Sequence, residues 1–141
     1  LALRDGNSPN ETTCLVNLSN HVADISIISH SGWIYPHAVV SRTSAWEQSM
    51  AYLCESIADT MKYHQYKLRQ SPVTRLAISG QIAAPERLTD ILQKSTGLPT
   101  ELWDPLQGIK VRGSALAQRL AADPRAGTLL ATSLGLALRR Y

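Results

Sequence analysis

In Ala23 to Ser29 the apolar residues of this chain alternate, and from Trp46 onward they recur at steps of three and four. A period of two places apolar side chains on one face of a strand, whereas a period near 3.6 places them on one stripe of a helix. Three strand-like runs precede the change. Thr13 to Leu18 is short and apolar, Ala23 to Ser29 (ADISIIS) alternates and is β-branched, and Trp33 to Val40 follows the turn His30-Ser31-Gly32. Pro36 has no backbone donor, so the third run is predicted at a sheet edge or a bulge. Three strands joined by such short turns make an antiparallel meander.

The helical part begins with Ser44 and Glu47, spaced as a capping box. Trp46, Met50, Leu53, Ile57, Met61, His64 and Leu68 then form one stripe facing a core, and Gln70-Ser71-Pro72 ends it. A strand at Thr74 to Ser79 and a Gly80 turn follow. The next helix has Pro85 in its first turn and Gly97 at its C-terminal cap. Thr100 to Trp103 reads as a fifth strand, stopped by Asp104-Pro105, and after a less regular stretch Ala126 to Arg139 reads as a last helix. Strands that first form hairpins and then alternate with helices imply a mixed sheet with helices packed on it. Residues 1–12, with Asp5-Gly6-Asn7-Ser8-Pro9, read as a tail, and 13–141 as a single domain.

Composition narrows the function classes. Of 141 residues, 44% are hydrophobic and 18% charged, enough for a core and too little charge for disorder. The net charge of +3 comes from scattered basic residues, which suits a solvated surface better than a nucleic-acid face. Cys14 and Cys54 belong to no paired-cysteine motif, so a metal or redox centre is not expected, and buried free thiols in a reducing compartment are. No apolar run approaches the roughly 18 residues of a membrane span. His64 reads as a core histidine, and His21, His30 and His37 as surface residues. Trp33, Trp46 and Trp103 read as anchors against the sheet. The chain opens at Leu1 in mid-pattern, which suggests a piece of a longer protein.

Three segments resemble a known family. Leu15 to Ile27 (LVNLSNHVADISI) is similar to the second phosphate loop of PilM- and FtsA-like proteins. Leu76 to Leu92 (LAISGQIAAPERLTDIL) resembles the adenosine-loop segment of that family. Leu98 to Val111 (LPTELWDPLQGIKV), with Leu130 to Arg140 (LATSLGLALRR), is similar to its C-terminal signature. The resemblance is to the C-terminal half of the PilM-like actin-like proteins of type IV pilus assembly, with GspL-type secretion proteins as cousins. It implies an α/β fold, one half of the actin and ribonuclease H-like fold, with a mixed five-stranded sheet in the order 3-2-1-4-5. It further implies a cytoplasmic protein at the inner membrane whose other half holds a PilN-like membrane partner through a short peptide.

The departures from the family pattern concern nucleotide chemistry. Asn17 stands where the family has Asp, Ser19 where it has Gly, and Ala23 where it has Thr; Asn20 follows Ser19, and Asp24 is kept. Gly80 is kept, but Gln81 and Ile82 replace the glycines after it. A phosphate loop needs bare backbone N–H groups and oxygen ligands for the metal. Asn17, Ser19, Asn20, Asp24, Gly80 and Gln81 therefore read as vestigial nucleotide loops, with no catalytic residue and no metal site. The short step from Val40 to Ser44 leaves no room for subdomain 2B, which in the family closes over the nucleotide. The expectation is a non-enzymatic scaffold without a cofactor. The alternative is an ATP-binding actin-like assembly ATPase, with ATP and Mg bound in the full-length protein. A ribonuclease H-like nuclease lacks its carboxylates here, beginning with Asn17. The shoulder of Ala51, Cys54 and Ala58 on the long helix, uncovered without 2B, is a candidate surface for self-association.

Overall fold

The computed structural model describes residues 11–19, 22–29, 31–32, 34–40, 46–82, 84–104 and 114–122, the side chains of residues 46–48, 116, 120 and 121 excepted. Five strands form one sheet: β1 (Thr13–Leu18), β2 (Val22–Ile28), β3 (Ile34–Val40), β4 (Arg75–Gly80) and β5 (Thr100–Leu102), in the order β3-β2-β1-β4-β5. β1 and β3 run antiparallel to β2, whereas β4 runs parallel to β1 and β5 parallel to β4. The order is the expected 3-2-1-4-5. Among the described residues three α-helices accompany the sheet: α1 (Trp46–Lys62), α2 (Pro85–Thr96) and α3 (Ala115–Ala122).

Alternation along the strands sorts the residues into two faces. Cys14 and Val16 of β1, Ala23, Ile25 and Ile27 of β2, Val39 of β3, and Leu76 and Ile78 of β4 meet the helices in one core. From α1 come Met50, Leu53 and Ile57, and from α2 Leu88 and Leu92. Of the expected stripe, Met50, Leu53, Ile57 and His64 are buried, with Thr60 added at 5% exposure, while Met61 and Leu68 are half-buried. Trp46 opens α1, but its side chain, the cap residue Ser44, Trp33, His30 and the C-terminal segment 126–139 lie outside the described residues.

Two features depart from the periodicity. α1 does not run evenly to Leu68: Tyr63–Lys67 forms a π-helical turn, with the Leu68 amide donating to the Tyr63 carbonyl at 3.2 Å. A widened turn of this kind is an inserted residue in the helix, and apolar spacing alone did not reveal it. Ala115–Ala122 is helical where the sequence reads as less regular. Smaller corrections fall at element ends, where boundaries are soft. β4 begins and ends one residue later than expected, and just before it the Thr74 amide donates to the Thr12 carbonyl at 2.9 Å. β2 begins one residue earlier, and β5 stops at Leu102.

Turn chemistry behaves as the sequence indicates. Pro85 opens α2, and Gly97 caps it in the left-handed conformation (φ 70°) with its amide donating to Gln93. Pro36 lies in an edge strand, as expected. Its place in the ladder can be derived. The Ser19 amide donates to the Val22 carbonyl at 2.9 Å across the first hairpin, and bonded and non-bonded pairs alternate from there. Val22, Asp24, Ser26 and Ile28 therefore turn their backbone groups to β1, and Ala23, Ile25 and Ile27 turn theirs to β3. Pairing opposite these, Tyr35, His37 and Val39 face inward, and Ile34, Pro36, Ala38 and Val40 point N and O to the outer edge. Pro36 sits where its missing donor breaks no bond to β2.

Candidate functional site

The expected site residues gather at the C-terminal ends of the parallel strands β1 and β4. Asn17 lies beside Ser79 in the parallel ladder and opposite Asp24 in the antiparallel one, and Leu18 lies beside Gly80. In a mixed sheet of this type the carboxyl ends of the strands are where ligands bind. The register thus brings Asn17, Ser19, Asp24, Gly80 and Gln81 to one end of the sheet; Asn20 lies outside the described residues.

Asn17 and Ser19 make side-chain hydrogen bonds at this end. The fully buried Ser79 hydroxyl donates to the Asn17 amide oxygen at 3.0 Å. Ser19 is exposed, and its hydroxyl donates to the Val22 carbonyl at 3.1 Å, reinforcing the hairpin bond made by its own amide. Asp24 is exposed. Gln81 is exposed, and its amide donates to the Leu18 carbonyl at 2.8 Å.

Gly80 has a separate, steric reason to be glycine. Its φ is +98°, and a Cβ there would stand 2.0 Å from the Leu18 carbonyl oxygen and 2.7 Å from the Leu18 amide nitrogen. The two backbones come so close that no side chain fits between them. Sequence reasoning assigned Gly80 to a nucleotide loop and missed this contact, and it missed Ser79 altogether. The signal for both was the parallel register of β1 and β4, which joins segments far apart in the chain.

ATP and Mg are the ligands that an actin-like fold implies, and the donor set can be tested against them. Hard cations take oxygen ligands, usually carboxylates. Among the expected site residues Asp24 alone carries a carboxylate; the Asn17 oxygen already accepts from Ser79, and the Ser19 hydroxyl is turned to Val22. Among the described residues no group of three or more His, Cys, Asp or Glu could hold a metal ion. Of these residues, Asp24 is thus the one that offers a carboxylate to a magnesium–phosphate group.

The other titratable groups lie elsewhere. Burial pushes the Cys14 thiol up to about 12, so it is an inert core residue, and both Cys14 and the half-buried Cys54 are free thiols. His64 is fully buried in the π-helical turn, 6.4 Å from the Tyr35 ring, and burial lowers its pKa from the ordinary 6.5. Tyr35 in turn stacks on Tyr63 at 5.8 Å. His37 is exposed, as expected. On the long-helix shoulder Ala51 is exposed, while Cys54 and Ala58 are half-buried. Among the described residues no helix is long and apolar enough to cross a membrane.

No known family model matches this sequence, and none of the curated proteins is detectably similar to it. Solved structures do share its fold. A PilM–PilN type IV pilus biogenesis complex is similar over 93% of this chain and 46% of that one, with a TM-score of 0.69 at 15% identity. A ROK-family transcriptional regulator, a homologue of the Escherichia coli MLC protein, is similar over 66% of this chain and 27% of that one, with a TM-score of 0.55 at 16% identity. A Bacteroides thetaiotaomicron protein of actin-like ATPase fold and unknown function matches at a TM-score of 0.46, with 15% identity. The chain spans less than half the length of each of these structures. The fold, a mixed five-stranded sheet in the order β3-β2-β1-β4-β5 with packed helices, is one that the PilM–PilN structure shares.

Proposed function

We propose that this domain is a non-enzymatic assembly scaffold of the PilM kind, an actin-like half that has kept the fold and lost the nucleotide. The observation that carries the loss is the closed end of β1 and β4: Asn17 is held by Ser79, Ser19 by Val22, and Gly80 is packed against Leu18. The Ser79 hydroxyl takes one lone pair of the Asn17 oxygen and the Ser19 proton is given to Val22, so turning either group toward a phosphate gives up a hydrogen bond of about 1 kcal/mol. The pilus-assembly role is supported by the likeness to the PilM–PilN complex over 93% of the chain. In this reading the domain works beside a preceding half that receives a PilN-like membrane partner, and the protein lies on the cytoplasmic side of the inner membrane.

Titration calorimetry of Mg–ATP into the full-length protein tests the reading. The expected result is no saturable binding up to millimolar ligand, where a Kd of about 1 mM still represents about 4 kcal/mol. A micromolar isotherm that Ser19→Trp abolishes would refute the scaffold and establish an ATP-binding actin-like ATPase.

A further inference from the structure

The outer edge of β3 is a strand whose sequence is complementary to itself. Ile34 and Val40 are each 56% exposed, and Pro36, His37 and Ala38 between them are exposed as well. Ile34, Pro36, Ala38 and Val40 point their backbone groups outward, and by alternation their side chains share the sheet face opposite Tyr35, His37 and Val39. Ile34 and Val40 stand at equal distances from His37. A second strand laid antiparallel about a two-fold axis at His37 therefore sets Ile34 of each copy opposite Val40 of the other.

We propose that two copies of this chain associate edge to edge through β3, about a two-fold axis passing at His37, to form one sheet continuous across both. This register uses the whole strand. Every outward N–H finds a carbonyl, and the donor that Pro36 lacks leaves only the Ala38 carbonyl of the facing strand bare, in contact with water. Sliding the pairing by two residues one way puts proline against proline, and the other way leaves Ile34 unpaired. Both exposed aliphatic side chains are covered only in the register centred on His37, and aliphatic cross-strand pairs are a main source of sheet stability. The partner is a second copy because the complementarity is between the two halves of one strand. An isologous contact of this kind closes on itself and makes a dimer, not a filament. A single strand edge covers less surface than the roughly 1,200 Å² of stable complexes, so the dimer is weak and concentration-dependent.

Sedimentation equilibrium of the full-length protein up to several hundred micromolar, with far-UV circular dichroism to verify folding, is the test. The wild type is expected to show a monomer–dimer equilibrium. Ile34→Glu and Val40→Lys, both at exposed positions, are each expected to weaken it at least tenfold. Combined in one chain they are expected to restore it, because each new carboxylate then faces the partner's new ammonium, while within a chain the two are too far apart to meet. In a Cys54→Ser background, His37→Cys is expected to give an oxidised dimer, since facing non-bonded positions lie about 4.5 Å apart at Cα, within disulfide reach. A strict monomer at every concentration, a dimer indifferent to both single substitutions, or a double variant as weak as the singles overturns the proposal.

Discussion

Replacing Gly80 by alanine is the sharpest test of how β1 and β4 are joined. The added Cβ would stand 2.0 Å from the Leu18 carbonyl oxygen, more than about 1 Å inside the ~3.5 Å at which non-bonded atoms normally meet. Both atoms belong to backbone, so relief requires the strands to part. Parting them breaks the 2.8 Å bond from the Gln81 amide to the Leu18 carbonyl, a loss of about 1 kcal/mol. The positive φ of +98° adds backbone strain, of order 1–3 kcal/mol for a residue with a side chain. The expected cost is therefore about 3 kcal/mol. Gly97 is the internal control: its φ is +70°, but nothing lies within 4 Å of its virtual Cβ, so Gly97→Ala carries the conformational penalty alone, about 1 kcal/mol. With a urea m-value near 2 kcal/mol/M, the midpoints should fall by about 1.5 M and about 0.5 M respectively, at unchanged m. Equal shifts for the two variants would show that the close approach at Leu18 is not what requires glycine at position 80.

Leu53 is 6% exposed in the centre of the α1 stripe, and Leu53→Ala is expected to cost roughly 2–5 kcal/mol in the same assay; a loss under about 1 kcal/mol would mean that the stripe does not pack against the sheet. His64 predicts a pH dependence. Its pKa is lowered from 6.5 in the folded state, so the unfolded chain binds the proton more readily; its contribution is complete above 6.5 and is lost as pH falls through the lowered folded value. His64→Phe should flatten that acid slope in unfolding experiments, and an unchanged slope would assign the titration to another group.

Much of the fold was legible because the signals were local. Pro36 pointed to an edge strand, Pro85 and Gly97 bounded α2, and the change of hydrophobic period at α1 separated the meander from the alternating part. The π-helical turn at Tyr63–Lys67 was hidden because His64 and Leu68 keep a helical spacing whether or not a residue is inserted between turns. The site was legible in part. A loop motif could point to Asn17, Ser19 and Gly80, but not to the Ser79 hydroxyl on Asn17 or the Leu18 backbone against Gly80, since both depend on which residues of β1 and β4 lie side by side. Pairing register between distant strands is set by the whole sheet and leaves no mark in either segment alone.

That same pairing governs the order in which the molecule assembles. β1, β2 and β3 are joined by short turns, but β1 meets β4 across 62 positions, as between Thr12 and Thr74 or Asn17 and Ser79. Loop-closure entropy grows by about 0.6 kcal/mol per doubling of length, so this contact is about 2 kcal/mol costlier to close than a hairpin. The meander should therefore form early and the parallel junction late. Pulse-labelling hydrogen exchange should find the Ser19 amide protected before that of Gln81, and the reverse order would refute this. On a ribosome the delay is enforced, because β4 emerges only after the whole of α1. Until then the strand that becomes the centre of the sheet is an open edge carrying Cys14, Val16 and Leu18, and the nascent chain is most prone to misassociate in that interval.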